Sequence, residues 1–431
     1  MPATTVVGEP KAAAHDVTLS TRLVSLDVFR GVTMAAMVIV NNPGDGSHVY
    51  WPLEHAAWSG WTPTDLIFPF FLFIVGVAIT LSRRNTAWET IARRGALIIA
   101  IGWALALYPH FDFAHWRLPG VLPRIGVCYV AAAALFKVSL SKRRSAPARR
   151  SQALVLTAIA VGLCVAYWFW MTHVPTPAGV LNDLSPDGNW GAHVDRAVFG
   201  TSHLWAVSET WDPEGLLSTI PAIATTLFGI VAGLWLGSTA APERKAAGLL
   251  VGAALGIAIG YAWNPFFPIN KNLWTSSYVF FTAGAACLLL GVCYWTIDVR
   301  GWRGWTKPFV VLGTNAITLF AASALLVKTL LTLKAGEVEG ETVSLWSYLY
   351  ARGFEPFFDP YVASLLFALA NVALLFAPLA WMYRRRVFLR VWRRRLLAVL
   401  RNRTFPRTGS ASRRRCGGSG GSASSPIRRE R

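Results

Sequence analysis

From Val24 onward the chain alternates long apolar runs with short polar breaks, and each run is near the length needed to cross about 30 Å of hydrocarbon. Following each run to its breakers predicts ten spans: Val24 to Asn42, Thr62 to Leu81, Arg94 to Pro109, Val121 to Val138, Ser151 to Met171, Leu216 to Leu236, Ala246 to Trp263, Thr275 to Ile297, Pro308 to Val327 and Tyr361 to Tyr383. Inside hydrocarbon a backbone must satisfy its own hydrogen bonds, so such runs are expected to be helices. The predicted fold is all-α, a polytopic transmembrane helix bundle occupying residues 22–383, with a short N-terminal segment 1–21 and a tail 384–431. The first run carries Asp27 and Arg30 at its start and no small-residue cleavage site at its end, which predicts a retained helix rather than a signal peptide.

Lys and Arg accumulate in cytoplasmic loops. The alternate connections Arg83 to Arg93, Lys137 to Arg150, Glu243 to Lys245 and Arg300 to Lys307 are basic, whereas the opposite set holds only Arg117, Arg196, Lys271, Lys334 and Arg352. Both termini are therefore expected to be cytoplasmic, which requires an even number of spans.

Composition agrees with this reading. Of 431 residues, 54% are hydrophobic and only 15% charged, against roughly 25% in soluble domains. A net charge of +19 would suggest nucleic acid, but sixteen arginines and one glutamate from Arg384 onward carry fifteen of those charges. No nucleic-acid partner is expected; the tail, Gly- and Ser-rich from Gly417 to Ser425, is expected to be disordered and to meet anionic membrane lipid or simply solvent. The five cysteines are scattered without disulfide or metal spacing, so no metal is expected.

The large connection Thr172 to Glu214 mixes tryptophans with His173, His193, His203, Asp183, Asp187, Asp195, Asp212 and Glu214. Rings stack on pyranose faces and carboxylates accept hydroxyl protons, so Asp212 and Glu214 are candidate sugar contacts; tryptophans of an interfacial belt are the plainer explanation. The shorter connection holds His48, Glu54 and His55, with Asp65 at the start of the second span. Ionisable groups beside a span are costly and are functional candidates, and His55 can exchange a proton near neutral pH.

Asn41 and Asn42 end the first helix, and Asn270 and Lys271 precede the eighth, on the same side as His55. Arg124, inside the fourth, either pairs structurally with Asp65 or Asp212 or holds an anionic carrier. Arg30, with the basic loop after the second span, could bind a carrier's phosphates, although topology alone also accounts for these arginines. Asn315, in mid-helix, either joins helices or lines a cavity. There is no phosphate loop, nucleophile elbow or zinc motif.

The stretches Arg22 to Gly31 (RLVSLDVFRG), His55 to Gly76 (HAAWSGWTPTDLIFPFFLFIVG), Leu118 to Tyr129 (LPGVLPRIGVCY), Asp212 to Gly233 and Ile269 to Tyr278 (INKNLWTSSY) resemble, in order, the heparan-α-glucosaminide N-acetyltransferase family of membrane acyltransferases. Pro123 departs from the polar residue usual there. The resemblance implies transfer of acetyl from cytosolic acetyl-CoA to an amino sugar across the membrane, with His55 as the active-site histidine, Asp65 as its acidic residue, Asn41 as a functional asparagine and Arg124 as a family arginine. On this reading Arg124, Arg30 and Asn315 are candidate carrier-binding residues, and Asp212, Glu214, Asn270 and Lys271 candidate acceptor-binding residues. The expected partners are acyl-CoA, an amino-sugar or glycan acceptor and membrane lipid, with a homodimer left open, in a bacterial cytoplasmic membrane. A transporter or flippase of a glycan or lipid-linked sugar is the alternative, and a membrane scaffold the blandest one.

Overall fold

The computed structural model describes residues 23–82, 87–139, 146–338 and 341–389. The expectations for segment 1–21 and for the tail beyond residue 389 lie outside the described residues. The elements are α1 (Val24–Asn41), α2 (Ile67–Leu81), α3 (Trp88–Leu107), α4 (Val121–Val138), α5 (Ala146–His173), α6 (Trp190–Phe199), α7 (Thr219–Leu236), α8 (Pro242–Trp263), α9 (Ser276–Cys293), α10 (Lys307–Thr314), α11 (Ala316–Thr332), the antiparallel hairpin β1 (Lys334–Val338) and β2 (Glu341–Ser344), α12 (Leu345–Gly353) and α13 (Pro360–Arg384).

Among the described residues nine helices are long and apolar enough to cross a membrane, and ten if α10 and α11 together form one broken span. The third helix starts earlier than expected, at Trp88 rather than Arg94. Arginine is a good helix former, so Arg93 and Arg94 do not end a helix; the Arg94 guanidinium lies 5.1 Å from the centre of the Tyr129 ring. The larger correction is at Asn315. Instead of sitting in mid-helix, it stands at a 79° bend between α10 and α11. Its amide nitrogen donates to the Val387 carbonyl at 3.3 Å and its oxygen accepts from the Leu389 amide at 3.1 Å, so the side chain serves the chain leaving α13.

The centre is made by α7 and α2, buried over 67% and 61% of their apolar windows, while α3 and α8, at 22%, lie outside. Lipid tails are as apolar as leucine, so helices in a membrane associate by close packing of small residues. On α7, Gly229 and Gly233 are four apart, and a methyl at Gly229 would fall 2.1 Å from the Phe73 carbonyl oxygen of α2. The same device joins α8 to α9, where a methyl at Gly256 would fall 2.8 Å from the Gly284 Cα. Lys328, inside α11, donates to the carbonyls of Leu105, Ala106 and Tyr108 and so caps the C-terminal end of α3.

At one end of the bundle, here the loop end, the longer connections pack on one another. Gly60 donates to the Ile269 carbonyl at 2.7 Å, Trp58 to the Leu184 carbonyl at 2.9 Å, and Leu118 to the His203 carbonyl at 3.0 Å. The 174–218 connection is folded, with α6 inside it and tryptophans meeting edge to face, Trp58 on Trp211 and Trp170 on Trp190.

Candidate active site at the loop end

The segment Thr62-Pro63-Thr64-Asp65 makes one turn leading into α2, with Pro63 in its first position, where no donor is needed. Asp65 reaches back: its Oδ2 accepts from the Thr62 amide at 3.0 Å, the Ala56 amide at 3.1 Å and the Thr62 hydroxyl at 3.2 Å. That leaves Oδ1 for His55 Nδ1, at 2.7 Å. The Asp65 backbone carbonyl accepts from the Tyr278 hydroxyl of α9. Two further bonds fix the chain ahead of His55, from Thr62 Oγ1 to the Glu54 carbonyl and from Thr64 Oγ1 to the Pro52 carbonyl at 3.1 Å. Asp65 is 1% exposed and the His55 side chain 50% exposed, so the carboxylate is an internal fixture and the ring faces outward. With Nδ1 occupied by Asp65, Nε2 is the nitrogen left for chemistry.

Lys271 joins this pair from the connection between α8 and α9. Its Nζ lies 3.1 Å from His55 Nδ1, 3.3 Å from Nε2 and 3.6 Å from Asp65 Oδ1. Burial draws the Lys271 ammonium towards the neutral amine, and Asp65 and Glu214 oppose this only in part. Its neighbour Asn270 is buried; its Oδ1 accepts from the Leu273 amide at 2.9 Å and its Nδ2 has no partner among the described residues. Asn41 is exposed at the end of α1 and makes no hydrogen bond to His55 or Asp65, whereas Asn42 is buried and donates to Ser323 at 3.1 Å.

A second charged cluster lies beside the first. Arg117 donates to both Asp212 oxygens, Nε at 2.7 Å and Nη2 at 2.6 Å, and also to Glu214. Burial works against the charge on Glu214, but Arg117, Arg124 and Lys271 outweigh it and hold the carboxyl below its usual range. Of the two readings of Arg124, the structural ion pair with Asp65 or Asp212 does not form among the described residues. Asp212 is taken by Arg117, and Arg124, in the first turn of α4, instead donates through Nη2 to the Gly215 carbonyl at 2.8 Å and to the Ser218 hydroxyl. Arg124 is 2% exposed with its guanidinium 5.2 Å from the Trp274 ring centre; Nε and Nη1 have no partner among the described residues. Asp195, on α6, accepts from the Leu216 amide at 2.8 Å, and burial pushes its carboxyl up to about 7.

Arg30 is not part of this site. It lies near the other end of α1, bonded to Asp27 at 3.3 Å and to the Gly313 carbonyl at 3.4 Å. The loop end thus gathers His55, Asp65, Asn270, Lys271, Arg124, Asp212 and Glu214 from four stretches of the chain, and leaves Arg30 and Asn315 elsewhere. Arg117 is the participant that sequence reasoning did not single out, its one signal being a lone cation in the short 110–120 connection, and Asp195 was named only as one of several acids in the 172–214 connection.

Residues 22–178 match the family profile described as heparan-alpha-glucosaminide N-acetyltransferase, catalytic. The chain is 30% identical over 358 residues to the heparan-alpha-glucosaminide N-acetyltransferase of Mus musculus and 31% identical over 354 residues to that of Homo sapiens, matching 71% and 70% of itself and 54% and 52% of theirs. It therefore spans about half the length of the curated relatives it matches.

Proposed function

Because the chain belongs to the heparan-alpha-glucosaminide N-acetyltransferase family, we propose that it is an integral membrane acetyltransferase that moves acetyl from cytoplasmic acetyl-CoA to an amino sugar or related envelope glycan at the loop end, on the far face. The observation that carries this reading is the His55–Asp65 pair, a half-exposed imidazole backed at 2.7 Å by a buried carboxylate. Such a pair serves a reaction in which an amine must lose a proton as it attacks a thioester. The acceptor nitrogen forms the C–N bond, the C–S bond breaks, His55 Nε2 takes the amine's proton and returns it to the departing thiolate. If acetyl instead rests on His55, the same Nε2 carries it and the amine attacks there. Single turnover without acceptor separates the routes, since only the second leaves acetyl on the protein.

In this scheme Arg124, whose Nε and Nη1 have no partner among the described residues, meets the anionic carrier at the loop end, and Arg30 meets it at the cytoplasmic end. Asn315 at the bend lies on the carrier's path. Asp212, Glu214, Asn270 and Lys271 frame the acceptor, with exposed Asn41 beside it. Both termini are cytoplasmic, and the membrane is a bacterial cytoplasmic one. The broken α10–α11 pair, bent by 79°, favours a second reading, since discontinuous helices line transport paths.

Liposomes loaded with acetyl-CoA and bathed in glucosamine or other amino sugars test both. Transfer is expected to yield N-acetylated sugar outside with stoichiometric thiol release inside. Sugar accumulating unmodified inside the vesicles, with no thiol released, would replace acyl transfer with transport.

A further inference from the structure

Lys271 stands in an unusual place relative to the His55 ring. Its Nζ is almost equidistant from the two ring nitrogens, 3.1 Å from Nδ1 and 3.3 Å from Nε2. In the ring plane a point so close to both would overlap Cε1, the carbon between them. The ammonium therefore stands over the ring face, where it is not aligned with the Nε2 lone pair but imposes its charge on the whole ring. Asp65 acts oppositely from the ring edge: a carboxylate at 2.7 Å favours the imidazolium. An imidazolium has no lone pair with which to accept an amine's proton, so Asp65 alone would orient the base and weaken its availability at once.

We propose that Lys271 is a positioning residue that keeps the His55 ring neutral, with its Nε2 lone pair open to the acceptor amine, by offsetting the charge Asp65 places behind the same ring. The inference rests on the acyl-transfer reading above and goes beyond acceptor contact. The lysine is held in place for such a role. Its connection is braced by Asn264 Oδ1 accepting from Ile269 at 2.8 Å, by Thr275 Oγ1 donating to the Pro268 carbonyl at 2.8 Å, and by the Gly60 to Ile269 bond that ties it to the His55 segment. The charged groups around the ring come from every neighbouring element. Asp65 comes from the turn before α2, Lys271 from the α8–α9 connection, and Glu214, bound by Arg117, from the segment before α7; Arg124 lies behind Glu214, and Glu54 precedes the ring and is exposed. Lys271 is the one cation among them in contact with the imidazole.

The test is the acid limb of kcat/KM for amino-sugar acetylation between about pH 5 and pH 8, in wild type, Lys271→Met and Lys271→Arg. A group that must be deprotonated gives a limb rising with pH. Removing the cation lets Asp65 act alone, so in Lys271→Met the limb should move up by about one pH unit, a roughly tenfold loss at fixed pH on that limb; solvent at the half-exposed ring screens away any larger effect. Lys271→Arg should restore it. A limb that stays in place while kcat/KM falls equally at every pH overturns the proposal and reduces Lys271 to acceptor contact or packing.

Carbethoxylation of His55 by diethyl pyrocarbonate, followed by mass spectrometry of its peptide, reports the neutral ring without acyl transfer. Its pH curve should shift upward in Lys271→Met even if that variant is inactive, and an unshifted curve overturns the proposal. Wild type that acetylates no amino sugar would instead sink the acyl-transfer reading, and this role with it.

Discussion

The environment of Asp195 changes its chemistry, since burial pushes its carboxyl up from 3.8 to about 7. An acid whose affinity for protons rises on folding costs the fold stability once it ionises, so the loss grows between about pH 4 and pH 7 and is complete above. Asp195→Asn keeps an oxygen for the Leu216 amide and removes the charge. It should be more stable than wild type at pH 8, by about 4 kcal/mol as an upper figure, with the gap closing towards pH 4; an equal gap at both pH values would assign the effect to packing. His55→Ala should abolish acetyl transfer in proteoliposomes and leave membrane insertion intact, with only a modest drop in melting temperature because the half-exposed ring packs little but buried Asp65 loses a partner. Retained transfer would exclude His55 as the base. At this scale the sequence discloses pairs that share a local run. His55 and Asp65 are ten residues apart within one stretch. Lys271 and Arg117 reach their partners across 216 and 95 residues, and charge alone names no partner at such separations.

Elements were legible wherever apolar length decides. The fourth span coincides with α4 from Val121 to Val138, and the others shift mainly at their ends, where arginines and prolines can lie inside a helix or flank it. The break at Asn315 was hidden for another reason. Gly313-Thr314-Asn315 has no proline, and the side chain's partners, at Val387 and Leu389, are more than seventy residues away. Close helix crossings carry the prediction at this scale. Gly229→Val should lower the melting temperature of the detergent-solubilised protein sharply, since its Cβ would meet the Phe73 carbonyl at 2.1 Å and overpacking typically costs about 1–3 kcal/mol. Gly162→Ala, where nothing lies within 4 Å, should leave it unchanged or raise it slightly. Similar effects of the two would remove the crossing as the explanation.

For the whole molecule, the gathering of the longer connections at one end agrees with the alternation of basic and non-basic loops, and a labelling experiment fixes which way it faces. Cys128, Cys164 and Cys293 are buried and Cys287 is half-buried, so with Cys416 replaced by serine, single cysteines report sidedness. Gly46→Cys, at the loop end, should react with an impermeant maleimide on intact cells, and Glu243→Cys, at the other end, only after lysis; the reverse pattern would invert the topology and the direction of transfer. The expectation for sidedness comes from composition and is what the labelling tests, while the meeting of the connections depends on side chains that composition does not pair. The Asn315 bonds have a practical corollary for anyone shortening the chain. Beyond α13 the sequence invites trimming, yet a protein ending before Val387 deprives the bend of both its partners, while one ending after Leu389 keeps them. The shortest version retaining the native kink is thus set by a single amide, about seventy residues upstream of the cut.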